Sequence, residues 1–218
     1  MRGAIFDLDG TIVDNMPIHV EAFAIFAERH GLPPLTLDDR QRLDGRRNSE
    51  IFPDLFGRPL TEADQKAFAK EKETLYRGLS VGRLTPVHGL VRLLDRLDAH
   101  AVPVAIATSA PPENVTHTLA ELGLSSRLAC IVGGDQVRRG KPFPDVFLAA
   151  AIRLGVAPAD CVAFEDAPAG IIAARTAGMR TVAVSNSFAP DVFLAPSVGA
   201  DVVVSDFEEY LAGPGGWL

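Results

Sequence analysis

Short apolar runs alternate with longer amphipathic segments along most of the chain. The apolar runs are rich in Val, Ile and Ala, and helix-length segments lie between them. Proline near a segment's start and glycine just past its end, as at Pro144 and Gly155, are typical of helix boundaries. The pattern predicts strands at residues 3–7, 102–108, 130–134, 161–165, 180–184 and 201–205. It predicts helices at residues 89–99, 112–122, 144–154 and 167–177.

Continuous apolar strands that alternate with helices indicate a parallel sheet covered by helices on both faces. We therefore predict an α/β fold with a Rossmann-like, doubly wound parallel sheet.

The long interval between the first two strands departs from this alternation, because most of it has a helical pattern. Asn15 is expected to cap a helix that stops at Gly31. Residues 48–57 form a short amphipathic segment. A capping box, "TEAD", begins at Thr61 and predicts a helix that runs to about Gly78.

This interval is predicted to be an inserted α-helical cap domain at residues 15–80. Residues 1–14 and 81–218 would form the Rossmann-like core. The joints near residues 13–15 and 80–85 are expected to be hinges, so that the cap opens for exchange and closes to exclude water.

Polar residues stand at the ends of four predicted strands or in the loops that follow them. In open α/β sheets ligands bind outside the carboxyl ends of the strands, so these residues are expected to share one crevice. They are Asp7 and Asp9, Thr108 and Ser109, Lys141, and Glu165 and Asp166. Asp7 and Asp9, two apart in extended chain, are expected to point the same way.

Four carboxylates in one crevice require a cation or protons to offset their charge. Mg²⁺ suits them, because it prefers oxygen ligands. Lys141 and the Thr108 hydroxyl supply positive charge and hydrogen-bond donors, which suit a phosphate. A carboxylate that attacks phosphorus, beside a second acid that moves protons, is recognised covalent chemistry.

Simpler roles compete with these interpretations. Asp7 and Asp9 could be a polar strand terminus, and Lys141 a solvated loop lysine. Asp166 is also placed to cap the helix at residues 167–177, and for Ser109 capping of the following helix is the preferred role.

The composition argues against two kinds of binding partner, nucleic acids and membranes. There are 28 acidic and 21 basic residues, a net charge of −7, which argues against a broad nucleic-acid-binding face. The longest strongly apolar stretch, residues 101–107, is far shorter than the roughly 20 residues of a membrane helix. We expect a cytoplasmic monomer that binds a small phosphorylated metabolite, with neither a nucleic-acid nor a membrane partner.

Four motifs, in order, resemble the haloacid dehalogenase (HAD) superfamily. They are "DLDGT" from Asp7, "ATS" from Ala107, "GKPFPD" from Gly140 and "FEDAPAGI" from Phe164. With the helical insertion they cover essentially the whole chain. The resemblance is to the β-phosphoglucomutase and sugar-phosphatase-like branch, which carries a helical C1 cap.

The resemblance implies roles for the acids. Asp7 would be the nucleophile that forms an aspartyl-phosphate, and Asp9 the general acid for the leaving group and then the base for water. Mg²⁺ would bind the Asp7 carboxylate, the Asp9 backbone carbonyl and Asp166, with Glu165 nearby or through water. The presence of Asp9 disfavours carbon–halogen chemistry, because dehalogenases of the superfamily lack this second acid.

The resemblance also implies phosphate-binding and substrate-binding residues. Thr108, Ser109 and Lys141 would bind the phosphoryl group. Candidate substrate-binding residues in the cap are His19, Arg46, Arg47, Asn48 and Lys72. Arginine's planar fork suits phosphate and sugar oxygens, although solvated charges or a partly buried, inert histidine would fit the same pattern.

Two departures separate this chain from β-phosphoglucomutases, which it resembles at His19, Gly45 and Lys72. Those enzymes carry an arginine where this chain has Asn48, and polar phosphate-binding residues where it has "APP" at residues 110–112. Both departures weaken a second phosphate site. The favoured function is therefore Mg²⁺-dependent hydrolysis of a sugar or polyol phosphate. The alternatives are a β-phosphoglucomutase and a non-catalytic phosphorylatable or phosphate-sensing domain.

Overall fold

A six-stranded parallel sheet forms the centre of the computed structural model, which describes residues 1–213 except for the side chain of Gln41. The strand order is β3-β2-β1-β4-β5-β6. The strands are β1 (Gly3–Phe6), β2 (Val104–Thr108), β3 (Ile131–Gly133), β4 (Cys161–Glu165), β5 (Arg180–Val184) and β6 (Val202–Val204). Each corresponds to a predicted strand, and the predicted fold class is confirmed.

Helices occupy the connections between the strands. Between β1 and β2 lie α1 (Met16–Arg29), α2 (Leu37–Leu43), α3 (Asn48–Phe56), α4 (Glu62–Ser80) and α5 (Leu90–Ala99). The later ones are α6 (Pro112–Glu121), α7 (Asp145–Leu154), α8 (Pro168–Thr176), α9 (Pro190–Leu194) and α10 (Phe207–Ala212). The four helices predicted for the core, α5 to α8, are confirmed to within one residue at each end.

Both faces of the sheet are buried, which explains why its strands are continuously apolar. On one face the Phe6 and Phe164 rings stack with centroids 4.6 Å apart, beneath α5, α6 and α10. On the other face Ile5 packs with Phe147 of α7 and with α8. Burying each such aromatic side chain contributes about 1.5–3 kcal/mol, so β1 is fixed firmly at the centre of the fold.

The inserted helices α1 to α4 build a small aromatic core of their own. The rings of Phe26, Phe52 and Phe68 contact one another, with Phe56 stacked on Phe68 at 4.7 Å. The two chain segments that join the insertion to the sheet run side by side, because Asp14 N–H donates to the Thr85 carbonyl at 3.0 Å. The cap domain at residues 15–80 and its hinges stay predictions, and residues 214–218 of the predicted core lie outside the described chain.

The sequence pattern misses one helix, and one capping expectation is wrong. Helix α2 was not predicted, although Thr36 caps it through a capping box with Asp39, where the usual box has Glu or Gln. Asn15 immediately precedes α1, yet its side chain does not cap that helix. The Asn15 amide is instead engaged by Asp9 and Tyr76, as described below.

Candidate active site

The carboxyl ends of β1 and β4, which are neighbours in the sheet, meet the loop that follows β3. This brings Asp7, Glu165 and Lys141 into direct contact. Lys141 is buried, and its Nζ lies 2.5 Å from Asp7 Oδ1 and 2.6 Å from Glu165 Oε1. Charge-assisted hydrogen bonds of this kind hold the ammonium and both carboxylates in one geometry.

Burial and mutual repulsion determine the charge of this cluster. Burial raises the pKa of Asp7 to about 8, even though Lys141 opposes the shift. Burial, and then the charges of Glu165 and Asp7, hold the pKa of Asp166 well above its usual range. Burial alone would lower the pKa of Lys141, but Asp7 and Glu165 reverse this and raise it. The three acids therefore carry more negative charge than one lysine can offset, which favours an added cation or bound protons.

Three of these carboxylates could hold a metal ion. Oxygen atoms of Asp7, Glu165 and Asp166 all lie within 4.8 Å of one another. Asp166 is oriented by Ser187 Oγ, which donates at 2.5 Å, and by Thr11 Oγ1 at 3.5 Å. A buried set of carboxylate oxygens fits Mg²⁺.

Glycines allow the backbone to approach these acids closely. A Cβ on Gly10, whose φ is +80°, would lie 2.0 Å from Asp166 Oδ2. A Cβ on Gly170 would lie 1.7 Å from Glu165 Oε1. The same Glu165 carboxylate accepts a hydrogen bond from Ala167 N–H at 2.8 Å. Ala167 occupies the N-cap position of α8 and no side chain caps that helix, so the alternative role of Asp166 as its cap is wrong.

The Asp9 carboxylate lies apart from the metal-type cluster and faces the inserted helices. Asn15 Nδ2 donates to its Oδ1 at 2.6 Å and lies 2.6 Å from the Tyr76 hydroxyl. His19 Nε2 is 3.6 Å from the same Asp9 oxygen, which is too long for a hydrogen bond. Burial raises the pKa of Asp9, but His19 and Asn15 together lower it overall.

A buried polar network on α4 supports His19. Lys72 Nζ lies 3.0 Å from His19 Nδ1 and 2.9 Å from Glu73 Oε1. Because an ammonium group only donates, His19 Nδ1 must accept, and this assigns its proton to Nε2, which faces Asp9. Glu73 also accepts from Asn48 at 2.7 Å and from Asn114 at 2.6 Å. The Asn48 amide is thus engaged within the network.

The two predicted cap arginines occupy different places. Arg46 lines the cavity described below, with its guanidinium 2.9 Å from Asp54 Oδ2. Arg47 is not among the cavity-lining residues. It binds Glu50 at 2.5 Å and donates to the Gly134 carbonyl of the core at 3.3 Å. Arg47 therefore joins the insertion to the sheet.

Thr108 ends β2 and Ser109 follows it, and both line the cavity described below. Thr108 Oγ1 accepts from Ala110 N–H at 3.0 Å, which leaves its hydroxyl proton to donate elsewhere. Ser109 Oγ donates to the Gly45 carbonyl of the insertion at 2.7 Å. The expectation that Ser109 caps α6 is wrong, because Pro111 occupies that position and no side chain caps the helix.

A cavity of about 240 Å³ lies between the sheet edge and the inserted helices. Its polar lining from the sheet side is Asp7, Asp9, Thr108, Ser109, Asn114 and Asp166. Its polar lining from the insertion is His19, Arg40, Asp44, Arg46, Asn48, Lys72 and Glu73. Lys141 and Glu165 are not among the cavity-lining residues: both are buried, and Lys141 binds the lining residue Asp7. Sequence reasoning missed Arg40, Asp44, Glu73 and Asn114, and it assigned Asn15 only to a helix cap.

Known proteins place the chain in a family. It matches the family model of haloacid dehalogenase-like hydrolases over residues 4–184. It is 35% identical over 212 residues to a β-phosphoglucomutase of Bacillus subtilis, covering 94% of this chain and 89% of that protein. It is 35% identical over 190 residues to hexitol phosphatase A of Escherichia coli, covering 84% and 83%.

The fold agrees with these relatives. A crystal structure of a HAD hydrolase, family IA, variant 3, from Entamoeba histolytica superposes with a TM-score of 0.86 at 29% identity, covering 96% of this chain and 95% of the other. Within residues 1–213 no helix is long and apolar enough to cross a membrane. The prediction of an enzyme, a phosphatase with a phosphoglucomutase as its alternative, is confirmed at the level of the class. The chain belongs to the haloacid dehalogenase-like hydrolase family.

Proposed function

We propose that the protein is a Mg²⁺-dependent phosphomonoesterase that hydrolyses sugar or polyol phosphates through an aspartyl-phosphate at Asp7. One observation carries the proposal. The Asp7 carboxylate faces the cavity with Lys141 bound behind it at 2.5 Å, while a second carboxylate, Asp9, lines the same cavity and is held by Asn15. A nucleophile and a separate proton carrier are the two groups that this chemistry requires.

In the first step an Asp7 carboxylate oxygen attacks phosphorus and the bond from phosphorus to the ester oxygen breaks. The Thr108 hydroxyl binds a phosphoryl oxygen, and Ser109, whose hydroxyl already donates to Gly45, binds one through its backbone N–H. Lys141 orients Asp7 and favours its ionised form. Asp9 gives its proton to the departing alkoxide. Asp9 acquires that proton as the phosphate dianion enters beside it, because a nearby negative charge raises a carboxyl pKa.

In the second step the Asp9 carboxylate takes a proton from water as the water oxygen attacks phosphorus. The acyl-phosphate bond to Asp7 breaks, and inorganic phosphate leaves. The pKa of Asp9 is lowered overall, which favours the ionised form that a base needs. His19 Nε2–H, 3.6 Å away, steadies that negative charge.

The acidic cluster suits the cofactor. The carboxylates of Asp7 and Asp166 and the Asp9 backbone carbonyl would hold Mg²⁺, with Glu165 close by or bound through water. When bound, the ion supplies positive charge that offsets the acids and the phosphoryl oxygens.

The relative from B. subtilis makes a β-phosphoglucomutase the second candidate. A mutase must bind a phosphate at each end of its bisphosphate intermediate. Here Asn48 is engaged by Glu73, and Ala110 and Pro111 line the cavity without a side-chain donor. This arrangement supports hydrolysis over mutase chemistry. A monomeric state and a cytoplasmic location stay predictions.

The test is release of inorganic phosphate from p-nitrophenyl phosphate and a panel of sugar and polyol phosphates. Activity should require Mg²⁺ and be lost in Asp7→Asn. Asp160→Asn is the matched control, because Asp160 is exposed at the opposite end of the sheet, before β4. Conversion of β-glucose 1-phosphate to glucose 6-phosphate that depends on a bisphosphate would support the mutase. Stable phosphorylation without turnover would support a phosphate-sensing domain.

A further inference from the structure

The inserted helices pair each cation that lines the cavity with a carboxylate of their own. The pairs are Arg40 with Asp44 at 3.0 Å, Lys72 with Glu73 at 2.9 Å, and Arg46 with Asp54 at 2.9 Å. Within residues 1–213, no lysine or arginine of the cavity lining lacks such a carboxylate. The cations in the part of the cavity away from Asp7 are therefore offset by neighbouring carboxylates, which disfavours a second phosphate there.

Arg40 and Asp44 both line the cavity, and they lie toward the C-terminal end of α2. Their side chains are only 21% and 14% exposed. A Cβ on Gly45, whose φ is +82°, would lie 3.0 Å from Ala167 Cβ, so this turn closely approaches the loop that follows β4.

The Arg40–Asp44 pair can satisfy the hydrogen bonds of a hydroxyl group but not those of a phosphate dianion. A hydroxyl both donates and accepts, and an arginine–carboxylate pair offers both partners side by side. Arg40 can donate to a hydroxyl oxygen while Asp44 accepts the hydroxyl proton. A phosphate dianion at the same place would meet the Asp44 carboxylate and lack a proton to give it, so it would be repelled.

We propose that Arg40 and Asp44 form a specificity site that binds hydroxyl groups of the substrate's carbon chain and rejects substrates with a second phosphate. This inference rests on the proposed phosphomonoesterase function. It assigns selectivity for monophosphates over bisphosphates to α2, a helix that the sequence pattern did not reveal.

The competing explanation is that the pair only stabilises α2, as i,i+4 pairs do. Asp38→Asn is therefore the matched control. It removes the same charge from an exposed position of the same helix, outside the cavity lining. A purely helical role would make Asp44→Asn and Asp38→Asn equivalent in substrate selectivity.

The experiment measures kcat/KM for fructose 1-phosphate and for fructose 1,6-bisphosphate in wild type, Asp44→Asn, Arg40→Gln and Asp38→Asn. The ratio of monophosphate to bisphosphate should fall on the order of 10-fold in Asp44→Asn, because a hydrogen bond to a charged acceptor is lost and repulsion is relieved. Arg40→Gln should lower kcat/KM for the monophosphate by a similar factor. Asp38→Asn should match wild type.

Two failures are distinguishable. If wild type hydrolyses fructose 1-phosphate but both cavity variants keep the selectivity of Asp38→Asn, the specificity site is refuted and the phosphatase stands. If wild type releases phosphate from neither sugar nor from p-nitrophenyl phosphate, the phosphatase and the inference that rests on it are both refuted. Arg40→Gln keeps the test decisive if Asp44→Asn does not fold.

Discussion

Replacing Lys141 by Met removes the buried cation that binds both Asp7 and Glu165. Met keeps most of the side-chain volume and the packing against the Phe147 ring, over which Lys141 Nζ lies at 5.3 Å from the centroid. The change therefore isolates the charge. Two carboxylates that accept at 2.5 and 2.6 Å in wild type are left buried without their donor.

The expected cost is a large share of the stability. Removing one partner of a buried ion pair costs about 3–5 kcal/mol, against a total of about 5–15 kcal/mol for a typical protein. The cost has a definite pH dependence. Without Lys141 the pKa of Asp7 rises further, so Asp7 gains a proton as the pH falls and its destabilising charge disappears. The loss should thus be largest above the wild-type pKa of about 8 and shrink toward acidic pH.

Urea denaturation of the metal-free protein at several pH values measures this directly. Lys66→Met is the matched control, because Lys66 is exposed on α4 and pairs only with the exposed Glu62. It should change stability by no more than the error of the measurement. A Lys141→Met protein as stable as Lys66→Met, or a loss independent of pH, would refute the electrostatic reasoning.

Two further predictions concern the acidic cluster. Gly170→Ala should greatly lower stability and activity, because the added Cβ would lie 1.7 Å from Glu165 Oε1. Gly78→Ala is the control: Gly78 has open space around it in α4, so this change should stabilise the protein by about 0.5–1 kcal/mol. Equal effects of the two substitutions in thermal melts would contradict the account. Mg²⁺ binding near pH 7 should release protons, because the pKa of Asp7 is about 8 and a ligand must be ionised. The release should vanish well above pH 8; calorimetry in buffers of different ionisation enthalpy that finds no release at pH 7 would argue against the site.

The sheet and its edge could be predicted because each signal is local. A parallel strand buried on both faces is a short apolar run, and the polar residue that ends it is adjacent in the sequence. Asp7, Thr108 and Glu165 were found in this way. The carboxyl ends of parallel strands lie at one edge of the sheet regardless of the loop conformations. The fold class was therefore enough to predict that these residues lie close together.

The polar contacts of the inserted helices could not be predicted, because their partners are distant in the sequence. Lys72 meets His19 across 53 residues, and Glu73 meets Asn114 across 41. Nothing local marks either contact. The prediction that Asn48 binds substrate overlooked Glu73, a buried acid that needs hydrogen-bond donors and engages the amide.

Asn15 lies where the sequence predicts a helix cap, but its side chain has a different role. Asparagine before a helix usually caps it, and Asn15 does precede α1. In the structure its Nδ2 donates to Asp9 and its Oδ1 accepts from Gly10 N–H at 3.1 Å. The Asn15 amide is buried between Asp9 and Tyr76 and hydrogen-bonds to both, so it is not available to cap the helix.

The central claim is that Asp7 becomes covalently phosphorylated during turnover. The most direct measurement is an acid quench of the enzyme during steady-state hydrolysis of fructose 1-phosphate with Mg²⁺, followed by mass spectrometry of its peptides. The account predicts a hydroxylamine-labile phosphate on Asp7 in the wild type and none in Asp7→Asn. Sustained turnover with Asp7 never phosphorylated, or with Asp7→Asn still active, would contradict it.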